Sequence, residues 1–175
     1  MNESNHDLES FSSILSTQPA DTPLVVIVNA EDKASIQNIK TTLNLYEEMI
    51  NQKQSEEATA EYLHPEYIQH NPMLPDGPIA LGQAFAQFTR ERKNLHVVVH
   101  KIVAVNDYVW AHVNFVNLTS DDPTDTGIAG VDIYRFAANG KAIEHWDTLQ
   151  VVGSESNAVP WMAPNIPAAN SNGMF

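Results

Sequence analysis

The stretch Gly127–Val152, GIAGVDIYRFAANGKAIEHWDTLQVV, carries two runs rich in Val, Ile, Tyr, Phe and Trp on either side of Asn139-Gly140. That dipeptide is the strongest short hairpin signal, because Gly, and to a lesser degree Asn, tolerates positive φ. Two turns fit the stretch. A two-residue loop sets Asp132 opposite Asp147, Tyr134 opposite His145 and Arg135 opposite Glu144. A three-residue loop with Gly140 in the left-handed position sets Asp132 opposite Trp146 and Ile133 opposite His145; Gly after Asn suits that position and favours this form. The choice matters, since a slip of one residue turns every side chain to the other face.

Working outward, Leu95 to Val105 and Tyr108 to Leu118 are β-rich runs parted by Asn106-Asp107, a second hairpin. Ahead of them the period is helical. Ser35 is a plausible N-cap for a helix through about Gln52, with Ile36, Ile39, Leu43, Tyr46 and Ile50 on one stripe. Ser55 opens a short helix ending near Leu63, Glu66 to His70 reads as extended, and Ile79 to about Lys93 buries Leu81, Phe85 and Phe88. Asn71-Pro72 and Pro75-Asp76-Gly77-Pro78 are loop signals between the last two. Leu24 to Val28 reads as an added edge strand or a docking segment. The order, helices first and antiparallel strands last, indicates α+β. Residues 1–34 are expected to form a partly flexible arm, 35–152 the folded domain and 153–175 a Pro-rich tail on its surface.

With 43% hydrophobic and 18% charged residues, the composition is that of a folded chain. A formal charge of -13 with only 9 Lys and Arg argues against nucleic acid and an anionic membrane surface as partners. There is no cysteine, hence no disulfide, thiolate nucleophile or Cys-ligated metal. The early apolar run is too short for a signal core or a membrane span, so a soluble, cytoplasmic protein is expected, although a removed signal peptide would leave no trace. His96 and His100 lie roughly 13 Å apart in a strand, at about 3.3 Å per residue, and cannot share one ion there. A set of His70, His112 and Asp132 is conceivable, but no metal and no cofactor is expected. Phosphate-binding glycine loops, nucleophile elbows and His-Glu-x-x-His helices are absent from the sequence.

The element order, together with YIQHNPMLPDG at Tyr67–Gly77 and VDIYRFAANGKAIEHWDTLQ at Val131–Gln150, resembles the SnoaL-like polyketide cyclase family of the nuclear transport factor 2-like superfamily. The resemblance implies a cone-shaped α+β barrel: a curved antiparallel sheet whose helices close an apolar cavity, often paired as a homodimer through the sheet. It also implies a general acid/base Asp on the strand before the last hairpin turn and a supporting His on the preceding strand, here Asp132 and His112. A carboxylate among apolar walls has its charged form disfavoured, which raises its pKa toward a range useful beside a carbonyl. The expected substrate is a small apolar carbonyl compound. Its contacts would be His70 and Asn71 at the mouth, with Tyr67, Trp110, Tyr134 and Trp146 as walls. Each also has a structural reading: Asp132 paired with Arg135, Asn71 as a turn initiator before Pro72, the aromatics as core. The same fold could also bind a ligand, or a second copy, without turnover.

Overall fold

The computed structural model describes residues 11–175 except 155, 157, 158 and 163. Six strands and three helices follow the chain as β1 (Val25–Ile27), α1 (Lys33–Tyr46), α2 (Ser55–Tyr62), β2 (Leu63–Gln69), α3 (Pro78–Glu91), β3 (His96–Val105), β4 (Tyr108–Val116), β5 (Ile128–Phe136) and β6 (Ala142–Val151). The strands form one open sheet in the order β1-β3-β4-β5-β6-β2. Its four central strands are antiparallel, as expected, but β1 runs parallel to β3 and β2 parallel to β6. The sheet is therefore mixed. Both edge strands are short and enter from the helical half of the chain, so their pairing direction has no local sequence signal.

Asp32, not Ser35, caps α1: its carboxylate accepts the Ser35 backbone N–H at 3.1 Å and the Ser35 hydroxyl at 2.6 Å. The stripe Ile39, Leu43, Tyr46 and Ile50 is buried against Val97, Val99, Ile102, Val109 and Val113 of β3 and β4. Immediately after Tyr46 the helix widens into one π-type turn, Glu47–Asn51, closed by the Gln52 N–H on the Glu47 carbonyl at 2.8 Å. This extra residue per turn brings Met49 as well as Ile50 inward.

The β5–β6 hairpin combines both turns that the sequence allows. Near its tip the loop is the three-residue form: Ala137 N–H donates to Lys141 at 2.9 Å, and Gly140 has φ of +77°. A bulge then places Ile143 without a partner between the pairs Phe136–Ala142 and Arg135–Glu144. That one added residue shifts the register again. Over the rest of the hairpin Asp132 faces Asp147 and Tyr134 faces His145, while Ile133 pairs with Trp146. The pairing of Asp132 with Trp146 favoured from the turn alone is thus not formed.

Phe11 and Leu15 belong to the buried core, and the Gln18 amide bonds both ways to the Val99 backbone, at 3.1 and 3.0 Å. Residues 11–18 are therefore firmly packed; the first ten of the expected arm lie outside the described residues. The tail reaches back over the outer face of the sheet, where the Phe175 ring stacks on His100 at 4.0 Å.

Candidate active site

The inner faces of β4, β5 and β6, with α1 and α3, enclose a cavity of about 430 Å³. Its walls are mainly apolar, including Leu45, Met49, Ile50, Leu81, Phe85, Phe88, Phe115 and Leu149. Into it project Asp132, Tyr134, His145 and Asp147, which the hairpin register sets on one face, and Tyr46, Tyr67, Gln69 and Asn71 from the helical side and β2.

Asp132 is 2% exposed. Its Oδ2 accepts the Tyr46 phenol at 2.5 Å; its Oδ1 has no partner among the described residues. Burial pushes the Asp132 carboxyl up to about 7; the Tyr46 hydrogen bond opposes this and the Asp147 charge adds to it. Both phenols beside it are pushed well above their ordinary value, first by burial and then by the Asp132 charge, so Tyr46 and Tyr134 stay protonated, and Tyr46 donates to Asp132.

His145 is 5% exposed, and its Nε2 lies 3.9 Å from Asp132 Oδ1 with no other partner among the described residues. Its tautomer follows from its neighbours. The Asn71 backbone N–H donates to Gln69 Oε1 at 3.0 Å, and the Gln69 amide nitrogen donates to the Tyr67 phenol oxygen at 3.1 Å. Gln69 Oε1 is therefore the acceptor that meets His145 Nδ1 at 2.9 Å, so Nδ1 carries the proton and Nε2 turns a lone pair toward Asp132. Burial, aided by the charge of His70, holds the imidazole down to about 3, neutral at physiological pH. Asp147, raised by burial against the pull of Asn71, takes both Asn71 amide contacts, at 2.9 and 2.8 Å.

The SnoaL-like domain profile matches residues 44–145, more than half of the chain. The protein belongs to the SnoaL-like family. A comparison with curated proteins finds no match. Among solved structures, this SnoaL-like protein resembles a candidate polyketide cyclase from Bacillus cereus at 16% identity and TM-score 0.61, over 87% of this chain and 97% of that one. It also resembles a candidate SnoaL-like polyketide cyclase from Jannaschia at 20% identity and TM-score 0.53, over 70% and 91%. A candidate SnoaL-like isomerase from Agrobacterium tumefaciens matches at 12% identity and TM-score 0.53, over 67% and 97%. At such identities the likeness establishes the fold and leaves the reaction to the site.

Of the residues expected at the site, Asp132, Tyr134, Tyr67 and Asn71 line the cavity. The other four lie on the outer face. His112 is the cross-strand neighbour of the outward Val131, and its ring lies 5.3 Å from Phe175 and 6.0 Å from His100, so it does not partner Asp132. Trp110, two residues along the same strand, faces out with it. Trp146 stacks on His70 at 4.8 Å, and His70 Nε2 meets Glu144 at 2.8 Å, all outside the cavity. Successive residues of an extended segment point opposite ways, so His70 and Asn71 could not both face in. Tyr46 was legible only as one more member of a core stripe. The signal available was that a buried phenol needs a polar partner, which a carboxyl supplies.

Asp132, His145 and Asp147 each offer one ligand atom, all within 4.8 Å of one another. As a cation site the set is poorly provided, because Tyr46 already occupies one Asp132 oxygen and Asn71 contacts both oxygens of Asp147. What remains is one carboxyl oxygen and one imidazole lone pair, an arrangement suited to hold or exchange a proton.

The pair makes a specific prediction for stability against pH. Unfolded, Asp and His titrate near ~3.9 and ~6.5; folded, they titrate near 7 and 3. Between about pH 4 and 6.5 each state therefore holds one proton, on the carboxyl when folded and on the imidazole when unfolded, and the two slopes cancel. Asp132→Asn leaves only the His145 contribution, which is lost as pH falls through this window; His145→Gln leaves only the Asp132 contribution, which is lost as pH rises through it. Urea unfolding across the window should show the two variants diverging from wild type with opposite slopes, each about 1.4 kcal/mol per pH unit. Parallel profiles for all three proteins would contradict the assignment of the proton to Asp132.

Proposed function

We propose that this SnoaL-like protein is a cofactor-independent acid/base enzyme acting on a small, mostly apolar carbonyl compound, by aldol cyclisation, isomerisation or dehydration. The observation that carries the proposal is the Asp132 carboxyl: buried in an apolar cavity, held by Tyr46 on one oxygen, unpartnered on the other among the described residues, and poised near neutral pH. In its ionised form Oδ1 takes a proton from the carbon next to the carbonyl, and the C–H electron pair moves onto the carbonyl oxygen. The Tyr67 phenol, whose oxygen accepts from Gln69 and whose hydrogen is left to donate, is suited to stabilise that oxygen. Asp132, now protonated, returns the proton to carbon or to a leaving hydroxyl. Tyr46 keeps the carboxyl in one orientation throughout, and the neutral His145 accepts without adding charge.

The test need not know the natural substrate. Small cyclic ketones and β-keto esters in deuterated buffer should exchange their α-hydrogens in the presence of the wild-type protein, with the rate rising through about pH 7 as Asp132 ionises. Asp132→Asn should slow exchange by roughly 10²-fold or more. Equal exchange with both proteins would favour ligand binding without turnover. Loss of exchange on chelation, restored by a divalent cation, would instead make Asp132, His145 and Asp147 ligands.

We also propose that two copies pair through the outer face of the sheet. Trp110 and Val131 are exposed there, Tyr108 stacks on Trp110 at 5.5 Å, and no helix among the described residues covers them. Light scattering should give twice the chain mass, reduced to one chain by Trp110→Glu; a monomeric wild type would rule the pairing out. No helix among the described residues is long and apolar enough to cross a membrane.

A further inference from the structure

The cavity has two chemically different ends. Asp132, Tyr46, Tyr134 and His145 are buried at one, whereas the lining reaches the surface at Met73 and Trp161, and Arg92 is half-buried with its side chain 24% exposed. Arg92 is the only cation among the lining residues, in a chain of net charge -13. It sits just past the last residue of α3, with its guanidinium 5.7 Å from the Phe88 ring, itself a cavity wall.

An arginine packed on an aromatic and paired with an acid can be purely structural, and Arg92 Nη1 does reach Glu91 at 3.3 Å. That pair is weak: adjacent in sequence, with the Glu91 side chain 52% exposed, it is screened by solvent. Only one nitrogen is engaged; Nε and Nη2 have no partner among the described residues. A guanidinium offers its donors in a planar fork that matches a carboxylate. Among the other lining residues, the carboxyls of Asp132 and Asp147 repel an anionic group. The cavity therefore holds a buried carboxyl, Asp132, with the half-buried Asp147 beside it, apolar walls, and one cationic fork with two nitrogens unengaged among the described residues.

Resting on the acid/base reading of the same cavity, we propose that its ligands are amphiphilic carboxylates, with the apolar body and reacting carbonyl inside and the carboxylate held at the rim by Arg92. Arg92 then selects and orients the ligand, and the negative floor fixes which end enters first. It is a specificity-determining residue and takes no part in moving the proton.

Decanoate, decanol and decylamine serve as probes of one chain length and three charges, titrated calorimetrically into the full-length protein at pH 8, where Asp132 is ionised. Wild type should bind decanoate roughly tenfold more tightly than decanol, the scale of one charge-assisted hydrogen-bonded contact, and decylamine no more tightly than decanol. Arg92→Gln should bring decanoate down to the affinity of decanol while leaving decanol unchanged, which also shows that the variant is folded with its cavity intact. Arg92→Lys, which keeps the charge and loses the fork, should retain part of the preference. Decanoate and decanol binding equally to wild type would overturn the inference, as would a preference that survives Arg92→Gln. Failure of the acid/base reading is seen separately: Asp132→Asn would then leave hydrogen exchange untouched while the preference for decanoate persists.

Discussion

The short hydrogen bond from Tyr46 to Asp132 joins the two halves of the molecule at a single buried carboxyl. One partner comes from the last residue of α1, the other from the middle of β5, 86 residues later. Burial alone would favour a protonated acid with no fixed orientation. The phenol satisfies one oxygen, partly restores the ionised form, and leaves the other oxygen facing unpaired chemistry. The difference between an ordinary aspartate and one titrating near 7 is on the order of 4 kcal/mol against the ionised state. That is a large part of the marginal stability of a small domain, and it is tolerated where a group must give and take protons.

Several irregular features converge on that carboxyl. The π-type turn begins at the residue after Tyr46, so the helix delivers its phenol and then rotates Met49 and Ile50 into the wall. The bulge at Ile143 turns His145 and Asp147 inward beside Asp132. The parallel pairing of β2 with β6 sets Gln69 opposite His145, where its amide fixes the imidazole tautomer. None of these is required by a minimal sheet and helix layer. Each locates or orients a polar side chain within walls that are otherwise apolar, and bulges and π-turns are common devices for that purpose.

The same features are the ones with no local signal in the sequence. Periodicity was enough for the three helices, the four long strands and both hairpins, because each depends on neighbours within a few residues. Asp132 was legible as a carboxylate in a β-rich run, and Tyr67, Tyr134 and Asn71 do line the cavity with it. The Asn139-Gly140 turn was legible too, yet its register was decided at Ile143, whose bulge has no composition signal. From that residue follow the exclusion of Trp146 and the inclusion of His145 and Asp147. His112 shares a strand with inward residues but has the opposite parity, fixed by pairing with Val131. Tyr46 could be seen as buried but not as bonded to a residue so distant in sequence, which only the folded chain brings near.

The most direct measurement of the central claim is the titration of Asp132 itself, followed by the carbon resonance of its side-chain carboxyl in protein labelled at aspartate. One carboxyl resonance should have its midpoint near pH 7 and vanish in Asp132→Asn. If every aspartate instead titrates within the ordinary range, about 2 to 5, then Asp132 is a solvated or ion-paired carboxylate, and the account of this cavity as a proton-transfer site is wrong.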